Sequence, residues 1–287
     1  MINFKKYIDC SEYIDNKSLS NLFDTYWDEL NNKFRKFEHL QYYNEGLNSA
    51  MADYLNGDYS DFTKKLLKTK NIEIVSQVVQ IGDIMAHSND FDTVKENVEK
   101  NSVRCGDLEA AKAMEELILS KKQEGDSIGG IVETVAVGVP AGLGEPVFER
   151  LDGDLARILM NINAVKGVEI GFGFDVATSC ASEINDEYYI EDNEIYTSTN
   201  SSGGIIGGIS NGMPIISRIA VKPTPSISKC QKSVNLEKME AEDITIHGRH
   251  DPCICPRATV VAQSSVAIVL ADHMIRSGYI HPSNLEI

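Results

Sequence analysis

His247-Gly248-Arg249-His250-Asp251-Pro252-Cys253-Ile254-Cys255-Pro256-Arg257 crowds two histidines, two arginines, an aspartate and two thiols into eleven residues. Pro252 and Pro256 fix φ and remove backbone donors, which keeps the stretch out of regular structure. Directly behind it, Val260, Val261, Ser264, Ala267, Ile268, Ala271, Met274 and Ile275 recur at three- and four-residue intervals. That spacing predicts a helix with those residues on its buried face. A rigid, cationic loop feeding a buried helix suits the presentation of charge to an anionic ligand.

The loop has other readings. His247, His250, Cys253 and Cys255 form H-x-x-H-x-x-C-x-C, a set of nitrogen and sulfur donors of the kind zinc takes. C-x-C is tighter than an ordinary zinc knuckle, and no second paired knuckle occurs in the chain. The plain alternative is a solvated polar turn.

Further blocks stand upstream. Asp126-Ser127-Ile128-Gly129-Gly130 leads into Gly138-Val139-Pro140-Ala141-Gly142-Leu143-Gly144-Glu145-Pro146-Val147-Phe148. Asn161-Ile162-Asn163-Ala164-Val165-Lys166-Gly167-Val168-Glu169-Ile170-Gly171, Gly203-Gly204-Ile205-Ile206-Gly207-Gly208-Ile209-Ser210 and Lys222-Pro223-Thr224-Pro225-Ser226 follow. With Gly248-Arg249-His250-Asp251-Pro252-Cys253, these blocks resemble the chorismate synthase family in the family's own order, over residues 71 to about 278. The family's G-E-S-H-G, R-R-P-G, R-P-G-H-A-D and R-G-G-G-R-S-S-A-R-E-T segments do not occur here. Those would supply its two catalytic histidines and many of its arginines. The chain thus resembles the C-terminal part of such an enzyme joined to something else.

Composition places the join. Residues 1–70 hold 13 of the 21 aromatics, none of the eight prolines and only Gly46 and Gly57 of the 21 glycines. Their net charge is −1, against −15 for residues 71–287. Such a break predicts two units, 1–70 and 71–287. In the first, Leu22, Phe23, Tyr26, Trp27, Leu30, Phe34 and Phe37 share one helical face, and shorter helices are expected over 47–55 and 62–67. An aromatic stripe of this kind reads as core, with a protein-binding face as the alternative.

The second unit alternates. Residues 72–81, 131–139, 168–170, 175–178 and 215–221 read as strands. Asp107 caps a helix through Leu108, Ala111, Met114, Leu117 and Ile118, with Gly125 beyond its end, and another helix is expected from Pro146 to about Leu159. The expected class is α+β. The resemblance refines it to a truncated β-α-β sandwich of the chorismate synthase kind, behind a small helical N-terminal segment.

Global features narrow the function. A net charge of −16 argues against nonspecific nucleic-acid binding. No run reads as a membrane span, and the N-terminus lacks an apolar signal region. Six cysteines, scattered except for Cys253 and Cys255, fit a reducing cytoplasm rather than a disulfide framework. The Gly203–Gly208 spacing is not a dinucleotide fingerprint; by itself it reads as a tight turn between strands.

The resemblance implies more. It implies conversion of 5-enolpyruvylshikimate 3-phosphate to chorismate with loss of phosphate, on reduced FMN, in a homotetramer of the shikimate pathway. Gly207, Lys222, Pro223, Thr224, Pro225, Ser226 and Arg249 fall on the family's FMN-binding positions, and Asn163 and Ala164 on another flavin-contacting pair. Arg249 suits phosphate or carboxylate through its bidentate fork. Asp251 matches an aspartate that assists flavin-centred proton transfer; its plain alternative is a turn aspartate bonding nearby backbone. With the histidine motifs absent, the expected chain is inactive alone or dependent on a partner that supplies them. The competing class is a non-catalytic binding or assembly protein, and a zinc-bound structural domain stands third.

Overall fold

The computed structural model describes residues 67–246, 248 and 251–280. All belong to the compact unit Asp53–Glu286; a second unit, Met1–Ala52 with Ile287, lies outside the described residues. The helices expected within residues 1–66 also lie outside them.

The framework is an antiparallel sheet of five strands. In chain order these are β1 (Glu73–Ile81), β2 (Ile84–Met85), β3 (Gly130–Val137), β4 (Val165–Ile170) and, later, β9 (Ile215–Val221). Their order across the sheet is β2-β1-β3-β9-β4. Alternation sorts the side chains. Ile74, Ser76 and Val78 on β1, Val132, Thr134 and Ala136 on β3, and Ile215, Ser217, Ile219 and Val221 on β9 are all buried, as one face of a pleated sheet requires. Register places Ser76 opposite Thr134 and Thr134 opposite Ser217. The Ser76 and Thr134 hydroxyls bond at 2.6 Å. The opposite face carries a polar row in which Gln77 donates to Glu133 (3.2 Å), which also accepts from Arg218 Nε (2.9 Å).

Between β2 and β3 run α1 (Phe91–Asn97) and α2 (Leu108–Gln123). Asp107 caps α2 as expected, its carboxylate accepting from Glu109 and Ala110 N–H. Gly125 lies just past the helix at φ +70°.

Between β3 and β4 lies α3 (Leu151–Met160). The helix expected from Pro146 therefore begins five residues late. Glu145 and Glu149 exchange backbone bonds of 2.7 and 2.9 Å, closing residues 145–149 into a small loop before the helix starts. The strand expected over 175–178 is also corrected: Gly173–Thr178 is a 3-10 helix, entered through Gly171 and Gly173 at positive φ. Such a conformation turns the chain out of the extended path that Val176 and Thr178 favour. A short α4 (Ala181–Ile184) follows. Three hairpins complete the strands: β5 (Tyr188–Glu191) with β6 (Glu194–Thr197), β7 (Ile205–Ile206) with β8 (Ile209–Ser210), and β10 (Gln231–Asn235) with β11 (Glu240–Ile244).

The last element is α5 (Cys255–Arg276), with Pro256 in its first turn. Gln263 donates to the Ile74 carbonyl at 2.6 Å, joining the helix to β1. His273, 2% exposed, bonds Asp154 of α3 at 2.9 Å. The helix is where the sequence predicts it, but its buried face is not. Ala267, Ala271 and Met274 are buried, whereas Val260, Val261, Ile268 and Ile275 are exposed. The inner face is instead built with Ala258, Thr259, Ala262, Ser265, Val266 and Leu270, whose small members permit close approach to the sheet. A second correction concerns length: α5 is long and apolar enough to cross a membrane by those criteria alone, although no such run was expected. Its inner side is occupied by protein.

Candidate active site

Four loops meet at one end of β3 and β9. The Ser127 hydroxyl donates to the Thr224 carbonyl (2.6 Å), and Ile128 N–H donates to the Pro252 carbonyl (2.8 Å). Lys222 N–H donates to the Ala164 carbonyl at 2.9 Å. Ala164 can turn its carbonyl there because it sits at φ +71°, a conformation uncommon for residues with a side chain. Gly129 is needed at the crossing: a Cβ there would lie 2.4 Å from the Val221 carbonyl oxygen. Asn163-Ala164, Asp126–Gly130, Lys222–Ser226 and Pro252 thus form one hydrogen-bonded cluster from segments far apart in sequence.

The cluster's polar groups point to ligand chemistry. Lys222 is exposed and has no ion pair among the described residues. The Thr224 hydroxyl is buried and has no hydrogen-bond partner among them; a buried polar atom without a partner is costly unless something else satisfies it. Pro223 and Pro225 flank Thr224 and stiffen the loop. Ser226 is half-buried beside them. Lys229 is engaged with Asp126 at 2.7 Å, which holds that carboxyl below its ordinary value.

Asp251 stands next to Pro252, and its Oδ2 is 2.7 Å from Arg257 Nη1 in the first turn of α5. Its side chain is one-third exposed and that of Arg257 is mostly exposed. Arg249, His247 and His250 lie outside the described residues. Cys253 and Cys255 are buried at the entrance to α5. The neighbouring Cys253 side chain, together with burial, pushes the Cys255 thiol up, while the hydrogen bond with Cys255 holds the Cys253 thiol below its ordinary value. No group of three or more His, Cys, Asp or Glu is placed to hold a metal among the described residues.

Gly207 is not part of this cluster. It forms the tip of the β7–β8 hairpin with Gly208, on the side where Gly203 receives the Ile216 N–H bond (3.3 Å) at the start of β9. Lys222 follows the other end of that seven-residue strand, so the Gly203–Ile216 contact and Lys222 are roughly 20 Å apart along it. Around Gly207 the backbone is open, with nothing within 4 Å of where a Cβ would stand, whereas Gly144 lies against the Gly208 carbonyl with no room for one.

The charge balance isolates the cations of the cluster. No lysine or arginine occurs between Lys166 and Arg218, a span holding Glu169, Asp175, Glu183, Asp186, Glu187, Glu191, Asp192 and Glu194. Lys222 and Arg257 are the cations through which the cluster would favour an anionic ligand.

A family model described as chorismate synthase matches residues 31–275. The chain belongs to the chorismate synthase family. The family match reaches back ahead of the compositional break at residue 70. A chorismate synthase of Methanobrevibacter smithii is 99% identical over 224 residues, which cover 78% of this chain and 62% of that relative. One of Methanothermobacter thermautotrophicus is 58% identical over 221 residues, covering 77% and 59%. A crystal structure of chorismate synthase superposes with a TM-score of 0.64 at 31% identity, covering 77% of this chain and 62% of that one. The chain thus spans about three-fifths of the length of the chorismate synthases it matches. The α+β class inferred from the sequence agrees with this match.

Two contributions in the cluster were not legible. Ser127 lies in a family-like block, but only the fold shows its hydroxyl fastening the Thr224 loop. Arg257 is visible in the sequence as a charge; its pairing with Asp251, six residues away, depends on the helix start at Cys255.

Proposed function

We propose that this chain supplies one part of a chorismate synthase site, built on Lys222–Ser226 and Asp251, and needs the portion of the family chain it does not match in order to act. The observation that carries the reading is the convergence of Ala164, Ser127, Thr224 and Pro252 through three hydrogen bonds in a chain of this family. The substrate is the phosphorylated enolpyruvyl shikimate that gives chorismate as phosphate leaves. The working enzyme is an oligomer of the cytoplasm, and the compositional units 1–70 and 71–287 have separate roles in it.

FMN fits the cluster at its polar end. The unpartnered Thr224 hydroxyl, the exposed Lys222 ammonium and Ser226 would hold it, with Asn163 and Ala164 alongside, and Arg249 and Gly207 as further contacts. When bound and reduced, FMN supplies electron density to a reaction with no net redox change. This chain's residues would do the rest. Lys222 neutralises anionic oxygens without the fixed fork of an arginine. Pro223 and Pro225 hold Thr224 in place. Asp251 keeps Oδ2 against Arg257 and has Oδ1 for a proton, the role of a positioned general base.

Binding of reduced FMN under anaerobic conditions tests this reading. The chain alone should bind weakly. Addition of the unmatched portion of the Methanobrevibacter smithii relative should tighten binding by orders of magnitude, because several charged hydrogen bonds, each worth about 1.5–3 kcal/mol, are restored. Lys222→Ala should reverse at least a tenfold part of that gain. Tight binding by the chain alone, or indifference to Lys222→Ala, would contradict it.

A further inference from the structure

Cys253 and Cys255 are two thiols that the proposed site leaves unused. Both are buried (8% and 0% exposed), and neither is in a disulfide. A buried cysteine is ordinarily an inert, small apolar group. This pair differs, because each sulfur has the other as its hydrogen-bond partner. Cys253 also accepts from the backbone N–H of Cys255, the first residue of α5. That N–H is one of the donors a helix start leaves without an intrahelical partner. The Cys255 thiol and this N–H hold the Cys253 thiol below its ordinary value against the opposing effect of burial, while the same contact pushes Cys255 up. One sulfur is thus favoured as the thiolate, and its neighbour keeps the proton.

The spacing suits a disulfide better than a metal. Two thiols fall short of the four ligands of a structural zinc site, and no larger group is placed for one among the described residues. Ile254 between them lies in the αR region, at φ −98° and ψ −5°. A helical step of that kind puts the flanking Cα atoms about 5.5 Å apart, inside the usual disulfide range of about 4.4–6.8 Å. The bond between the thiols shows that the two side chains converge.

We infer that Cys253 and Cys255 form a redox-active dithiol that a hydroperoxide closes to a disulfide, and that closure releases the Pro252 end of the cluster. The Cys253 thiolate attacks one oxygen of hydrogen peroxide, the O–O bond breaks and hydroxide leaves, giving a sulfenic acid at Cys253. The Cys255 sulfur then attacks the Cys253 sulfur; the S–S bond forms, the S–O bond breaks, and the hydroxyl leaves as water with the Cys255 proton. Hydroxide takes up the proton that Cys253 had released. Two thiols lose two electrons, and one peroxide becomes two waters. A small oxidant fits because Cys253 is only 8% exposed, whereas exchange with a bulkier disulfide needs open access to the sulfur.

Closure moves the turn. Sulfurs that share a hydrogen stand farther apart than the about 2.05 Å of a disulfide. Cys255 is fixed in the first turn of α5, which Gln263 ties to β1, so Cys253 and Pro252 take up the shift. The Pro252 carbonyl accepts from Ile128 N–H, and that is the bond given up. The inference goes beyond the proposed function, and its readouts need neither flavin nor turnover.

The test is titration of the full, reduced chain with hydrogen peroxide, quenched with iodoacetamide in denaturant. Trypsin releases residues 250–257, which hold Cys253, Cys255 and no other cysteine. This peptide should become unalkylated and lighter by two hydrogen atoms at least tenfold faster than the exposed Cys180 and Cys230 are oxidised, and dithiothreitol should reverse the change. Amide exchange at Ile128, read by NMR, should be at least fivefold faster in the oxidised chain. With Cys255→Ser, dimedone should trap a sulfenic acid on Cys253; with Cys253→Ser, Cys255 should stay a thiol. The wild-type readouts stand even if a variant fails to fold. Oxidation of Cys180 and Cys230 ahead of the pair overturns the inference. So does a disulfide that leaves Ile128 exchange unchanged, or a dimedone adduct on Cys255.

Discussion

Ser127 and Thr224 lie 97 residues apart in sequence, and the hydroxyl of the first donates to the carbonyl of the second at 2.6 Å. This bond joins the loop leading into β3 to the loop leaving β9. It fixes the loop in which Lys222 is exposed and the Thr224 hydroxyl lacks a partner.

Ser127→Ala removes the donor and leaves the Thr224 carbonyl half-buried without it. We expect a loss of about 0.5–1.5 kcal/mol in unfolding free energy, read as a lower urea midpoint at unchanged slope. A midpoint equal to wild type would show that the loop is held by Lys222–Ala164 and the prolines instead.

Two glycines should respond differently to alanine. At Gly144, φ is +124° and a Cβ would lie 2.1 Å from the Gly208 carbonyl oxygen, so Gly144→Ala must shift the backbone. It should cost upwards of about 2 kcal/mol. At Gly207, φ is +62° with open space around it, and the cost should stay near 1 kcal/mol, the left-handed penalty alone. Equal destabilisation in thermal melts would remove the distinction between a packed and an open glycine.

Asp107 gives the pH dependence a sign. Burial works to raise its pKa, but hydrogen bonds from His87, Ala110 and Glu109 outweigh it and bring the carboxyl from 3.8 to about 2. A folded pKa below the unfolded one means stability present above about pH 4 and lost as pH falls through about 2. Asp107→Asn keeps a capping oxygen without the titration. The difference in unfolding free energy between wild type and Asp107→Asn should shrink by about 2 kcal/mol between pH 5 and pH 2. A constant difference would contradict the assignment.

Legibility followed physical distinctness. Asp107 and Gly125 marked both ends of α2 because capping and left-handed termination each have one residue preference. The alternating strands 73–81, 130–137 and 215–221 were equally plain. The face of α5 was not, since a helix without a charged residue from Ala258 to Ala271 gives no polar side to set its phase. Residues 145–149 were misread because two backbone bonds, invisible in composition, close that loop ahead of α3. In the candidate site, motif blocks drew attention to Lys222–Ser226 and Asp251. The Arg257 pairing and the place of Gly207 at the tip of the β7–β8 hairpin are products of tertiary packing.

Asp251 and Arg257 should separate in kinetics. In the reconstituted enzyme, Asp251→Asn should lower the rate of chorismate formation by about 10²–10⁴, as loss of a positioned proton-transfer group does. Its urea midpoint should barely move, because an exposed ion pair contributes about 0–1 kcal/mol. Arg257→Lys should retain more activity than Arg257→Ala. If Asp251→Asn turns over like wild type, the carboxylate is a turn residue and no more.

The central claim is that this chain holds part of a chorismate synthase site and lacks the rest. The direct test is an anaerobic assay with reduced FMN and 5-enolpyruvylshikimate 3-phosphate, following chorismate as it forms. The chain alone should give negligible turnover, and addition of the unmatched portion of the Methanobrevibacter smithii relative should restore it, sensitive to Asp251→Asn. Robust turnover by the chain alone would contradict the account, and so would none in the presence of a stoichiometric complex.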